Sequence, residues 1–176
     1  RILLPTYTYD EFIGKLDSEM EKEFGKDYLC RLGRFATEYD MQVQFIVFHD
    51  ELDWANDRSE LIIVSLSFKE GYYSFSPQKY SLSEFKELIK SHSGGPVSIG
   101  SKGLIYGTSR LECSLSKTDS LYPGDADLLL LNEDNKAVCI LEFKKHTLSS
   151  PVSEQCFTNY YPRPDGRKYK RLALLR

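Results

Sequence analysis

Apolar residues recur along the chain with two different periods, and the changes from one to the other predict an alternating order of helices and strands. In residues 8–24, Phe12, Ile13, Leu16, Met20 and Phe24 stand at helical spacing, with Thr8 or Asp10 as the cap. Residues 27–39 predict a second helix, with Tyr28, Leu29, Leu32 and Phe35 on one side. The short apolar runs 43–49 and 61–68 predict strands, the second rich in Ile and Val. A third strand is expected at 72–75, joined through the turn Lys69-Glu70-Gly71. Residues 81–91 predict a well-marked helix: Ser81 or Ser83 caps it, Leu82, Phe85, Leu88 and Ile89 form its stripe, and Gly94-Gly95-Pro96 ends it. A strand or hairpin kinked at Gly107 follows at 104–115, then a hairpin at 125–144, a helix at 152–161 and a strand at 168–175. The order is that of an α/β protein, with no internal repeat and no low-complexity segment.

The hairpin departs from ordinary core chemistry. Two apolar runs, Leu128-Leu129-Leu130-Leu131 and Ala137-Val138-Cys139-Ile140-Leu141, are flanked by Asp125, Asp127, Glu142, Lys144 and Lys145. Buried strands rarely carry charges unless the charges are paired or bind metal. Asp and Asn tolerate left-handed backbone, so Asp134-Asn135 predicts a two-residue primed turn. Counting back from it, Glu133 faces Lys136, Leu131 faces Val138, Leu129 faces Ile140, Asp127 faces Glu142 and Asp125 faces Lys144. Side chains alternate with period two, so these residues share one face, with opposed Cβ atoms about 5 Å apart. Two carboxylates and a lysine so disposed suit divalent-metal hydrolysis of a phosphodiester.

Glu142-Phe143-Lys144 on one strand, preceded by the acid-bearing Gly124-Asp125-Ala126-Asp127-Leu128, resembles the signature of the PD-(D/E)XK nuclease superfamily. That superfamily includes restriction endonucleases, Holliday-junction resolvases and RecB-type exonucleases. The resemblance covers about residues 122 to 160, and it departs from the family pattern in lacking a Pro-Asp dipeptide, since Pro123 stands two residues before Asp125. It implies a restriction-endonuclease-like core at 79–176, a mixed sheet flanked by helices, with an N-terminal α/β extension at 1–78. Asp127 and Glu142 would ligate Mg²⁺ or Mn²⁺, helped by the Phe143 carbonyl, and Lys144 would position or activate the attacking water. Asp127 is preferred over Asp125 as principal ligand because the counted register sets it opposite Glu142. Asp125 is then a secondary ligand or a partner of Lys144. Gln155 and Tyr160, on the helix expected after the E-x-K strand, resemble a Gln and Tyr pair near the active site of RecB-like members, and with Asp125 and Lys145 they complete the expected substrate-contacting set. Glu84 and Glu87 are candidates for a further carboxylate from the first core helix, against the plainer expectation of a solvated face.

Charge and composition qualify this picture. The chain has 176 residues, enough for one domain or one domain with an extension, and its formal net charge is −3, which gives no general basic footprint for nucleic acid. Cations nevertheless crowd the end of the chain, where Arg163, Arg167, Lys168, Lys170, Arg171 and Arg176 are interleaved with Tyr160, Tyr161 and Tyr169. Phosphate contacts and an ordinary solvated segment are both open there. Cys30, Cys113, Cys139 and Cys156 show no zinc spacing, and Cys139 is expected as buried packing in a reducing, intracellular compartment, cytoplasmic or nuclear. No run is long enough to span a membrane, and no P-loop pattern occurs. His49 beside Asp50, Glu51 and Asp53 loosely resembles a metal group, and His146 follows Lys144-Lys145. The chain starts at Arg1 and stops in the apolar run Leu172-Ala173-Leu174-Leu175-Arg176, so a partner subunit or further domain is expected beyond it. The expected function is a metal-dependent nuclease, DNA ahead of RNA as substrate. The alternative is a non-catalytic nucleic-acid-binding or assembly module that keeps a nuclease fold.

Overall fold

A computed structural model of the chain describes residues 2–3, 8–50, 52–93, 95–96, 109–120, 126–143, 149, 151–159, 161–162 and 166–173. The chain divides into two compact units, residues 1–121 and 122–176. The boundary expected at residue 79 falls inside a strand of the first unit, so no division occurs there.

The first unit is a sheet with helices on both faces. Strand β1 (Ile2–Leu3) is followed by helices α1 (Tyr9–Gly14), α2 (Leu16–Phe24) and α3 (Lys26–Glu38). Strands β2 (Val43–Phe48), β3 (Glu60–Lys69) and β4 (Tyr72–Ser81) come next, then helices α4 (Leu82–Ser93) and α5 (Arg110–Leu115). The sheet order is β1-β2-β3-β4, with β1 parallel to β2 and the other pairs antiparallel. Alternation along the strands splits the core in two. Phe45 and Val47 of β2 and Ile62, Val64 and Leu66 of β3 meet Phe12, Leu16, Met20 and Leu29 on one side. Phe48, Leu61 and Ile63 meet Trp54, Leu82, Phe85, Ile89, Leu111 and Leu115 on the other. The first half of β3, Leu61-Ile62-Ile63-Val64, is therefore apolar in unbroken sequence because it is covered on both faces.

Local signals set the helix ends. Thr8 and Glu11 form a capping box at α1, and the helix expected as one piece over 8–24 breaks at Lys15, whose φ of −121° leaves the helical region after Gly14. Ser81 and Glu84 form the same reciprocal pair at α4, with bonds of 3.2 Å and 2.7 Å.

Three expectations are corrected. β4 extends to Ser81 rather than stopping near Phe75, because Pro77 is tolerated in a strand at the border of a sheet. Arg110–Leu115 is a helix and not a strand: Leu111, Cys113 and Leu115 alternate, but Leu111 and Leu115 are also one helical turn apart, and both are buried in the second core cluster. Residues 97–108, including the expected kink at Gly107, lie outside the described residues. In the second unit, the strand expected at 168–175 is replaced by a helix at Gly166–Leu172, rich in the good helix formers Lys, Arg and Leu.

Candidate functional site

The second unit is built on strands β5 (Leu128–Leu131) and β6 (Ala137–Leu141), which pair antiparallel in a two-stranded sheet of their own. The turn differs from the two-residue expectation. Asn132 N–H donates to the Lys136 carbonyl at 3.0 Å, and Asn135 takes a positive φ of 61°, which leaves a three-residue loop, Glu133-Asp134-Asn135. Such a loop ends in a left-handed residue, a place Asn fills readily. It sets Leu131 against Ala137 instead of Val138. A bulge between Leu130 and Leu131 then slips the register back, so Leu129 faces Ile140 and Leu128 faces Leu141, as counted from the sequence. Asp127 and Glu142 follow directly on this last pair. The Asp127 carboxylate Oδ2 accepts the main-chain N–H of Phe143 at 2.6 Å, which ties the end of the first strand to the second.

These strands are not a buried core, contrary to the premise drawn from their apolar sequence. Leu128, Leu130, Val138 and Leu141 are all exposed, as is Cys139, which was expected as buried packing. Asp127 is exposed as well. Glu142 differs: its side chain is only 10% exposed, and Oε1 forms an ion pair with Nζ of Lys168, whose own side chain is 17% exposed. Lys168 comes from helix α6 (Gly166–Leu172). A carboxylate largely removed from water needs a cationic or hydrogen-bonding partner, and the α6 ammonium supplies one.

Of the other expected site residues, Asp125, Lys144, Lys145 and Tyr160 lie outside the described residues, as does His146. Gln155 is described, but the helix expected over 152–161 is two separate 3₁₀ turns, Val152–Glu154 and Phe157–Asn159. Gln155 closes the first of them, its N–H donating to the Val152 carbonyl at 3.0 Å. Cys156 is exposed, and its thiol is held below the ordinary range, chiefly by the Thr158 hydroxyl 2.9 Å away. In the first unit, Glu84 caps α4, Glu87 pairs with Lys90, and Asp50 and Asp53 accept main-chain N–H groups of Arg110 and Ala55. These acids hold local structure. Among the described residues, no group of three or more His, Cys, Asp or Glu could hold a metal ion.

Sequence reasoning missed the surroundings of Glu142. A cavity of about 630 Å³ opens beside β6, with Glu142, Ile140, Phe157, Tyr161, Tyr169 and Lys170 in its wall. Phe157 and Tyr161 stack with ring centroids 5.3 Å apart, and Tyr169 stands edge-on to Phe157 at 5.0 Å. The tyrosines among the terminal cations were the available signal. Comparison of the chain with protein-family models, with curated proteins and with solved structures gives no match.

Proposed function

We propose that this chain is a divalent-metal-dependent nuclease of the PD-(D/E)XK type, hydrolysing phosphodiester bonds with DNA ahead of RNA as substrate, and that its hairpin is the catalytic part of a restriction-endonuclease-like core. The observation that carries the proposal is the pairing of β5 with β6, whose last pair is Leu128 with Leu141, so that Asp127 and Glu142 are the next residue on either side of the hairpin. Glu142 begins the run Glu142-Phe143-Lys144. Hard carboxylate oxygens suit Mg²⁺ or Mn²⁺, and Asp127 and Glu142 would hold the ion. The surroundings of Glu142 already accept a positive charge, the Lys168 ammonium, which supports a cation there. When bound, the metal would neutralise phosphate charge and lower the pKa of water. The protein's own share is orientation. The Phe143 N–H fixes the Asp127 carboxylate, and Lys144 would orient the attacking water.

The ion pair between Glu142 and Lys168 also favours the second function, a nucleic-acid-binding module in which Lys168 has replaced the metal. Incubation of the protein with labelled single- and double-stranded DNA and RNA, with and without Mn²⁺, separates the two. A nuclease cleaves only with metal, Glu142→Ala loses both cleavage and Mn²⁺ binding, and Lys144→Ala loses cleavage but keeps the metal in calorimetry. Metal-independent binding without cleavage of any substrate would leave the binding module.

A further inference from the structure

The cavity beside Glu142 has the chemistry of a site for an unpaired nucleobase. Its volume of about 630 Å³ is within the usual span of small-ligand sites, and its wall combines Phe157, Tyr161 and Tyr169 with Ile140 and Lys170. Phe157 is 56% exposed although it belongs to an aromatic cluster, so part of its ring surface remains available for stacking. Helix α6, which contributes Tyr169 and Lys170, carries Arg167, Lys168, Lys170 and Arg171 within seven residues and no acid. Aromatic rings that accept any base, beside a concentration of cations that follows phosphates, is the pattern of single-strand binding. A duplex keeps its bases stacked inside and offers only phosphates to such a cavity.

We propose that the cavity bounded by β6, Phe157, Tyr161 and helix α6 is a single-strand subsite: one unstacked base lies against the Phe157–Tyr161 rings, and a flanking phosphate lies at Lys170. Glu142 shares the wall, so the stacked nucleotide is adjacent to the phosphate that the hairpin acids would attack. Only that last placement rests on the nuclease function proposed above. Base stacking and phosphate contact do not need turnover.

The test is fluorescence anisotropy with a labelled oligothymidine and with a hairpin duplex of the same phosphate count, both in EDTA so that nothing is cleaved. The expected result is tighter binding of the single strand. Phe157→Leu, which keeps apolar bulk and removes the ring, should weaken single-strand affinity by about 5- to 150-fold, the loss of one stacked base, with the salt slope unchanged. Tyr161→Leu should do the same and serves if Phe157→Leu fails to fold. Lys170→Gln should lower the salt slope by about 0.7, the contribution of one single-strand phosphate. Equal affinity for both nucleic acids, no binding of either, or unchanged single-strand affinity in a folded Phe157→Leu or Tyr161→Leu protein would overturn the subsite. Metal-dependent cleavage of duplex that ignores Phe157→Leu would remove the subsite and leave the nuclease. Ring-dependent single-strand binding with no cleavage in any metal would do the reverse.

Discussion

Single side chains at the starts of α1 and α4 make part of the stability depend on pH. The Glu11 carboxylate is held below the ordinary Glu value of 4.5, first by the Thr8 main-chain N–H and then by its hydroxyl. Ser81 does the same for Glu84. A carboxylate with a lowered folded value contributes stability in full above its ordinary value, and the contribution is lost as pH falls through the lowered one. The Glu11→Gln/Glu84→Gln variant should therefore melt below the wild type at neutral pH, and the gap should close under acid, as followed by circular dichroism. Glu142 gives a prediction opposite to the one its sequence context suggests. Beside Asp127 alone, removing it would relieve like-charge repulsion. Beside Lys168, its removal leaves an ammonium only 17% exposed without that carboxylate, so Glu142→Ala should cost about 1–3 kcal/mol in urea unfolding without metal. The facing of Leu129 with Ile140 was legible because period two and turn chemistry fix a register. That count succeeded through two compensating one-residue differences, a longer loop and a bulge, neither of which has a strong sequence mark. Lys168 was not legible, since its partnership with Glu142 depends on a helix that the apolar residues 172, 174 and 175 disguised as a strand.

At the scale of elements, an apolar stripe located α3 and α4, but it did not show the break at Lys15 that divides residues 8–24 into α1 and α2. The helix at 81–91 had both a stripe and a capping pair, and it is present as α4. Residues 110–115 had an apolar alternation that helix and strand share, and only packing against Trp54 and Phe85 decides between them. Helix α3 comes close to β3 where Gly33 lies over Phe68. A Cβ at Gly33 would stand 2.8 Å from Phe68 Cβ, backed by the β3 strand itself, so little can yield. Gly33→Ala should destabilise the first unit by about 1–3 kcal/mol despite the better helix propensity of Ala. An unchanged denaturant midpoint would show that α3 does not press on the sheet.

For the molecule as a whole, among the described residues both core clusters draw their buried members from before position 121. Residues 1–121 alone should therefore fold and unfold in one cooperative transition, measured by near-ultraviolet circular dichroism against urea. The sheet of that unit also carries its own protection. β4 is the last strand in the sheet order among the described residues, and a strand in that position presents unpaired main-chain groups on which another chain can polymerise. Pro77 deletes one N–H from the middle of that row, and Lys79 adds a charge two residues on. The proline thus serves colloidal solubility rather than folding. On prolonged warming, Pro77→Thr protein should seed thioflavin-binding fibrils well before the wild type, while its urea midpoint stays close to the parent's.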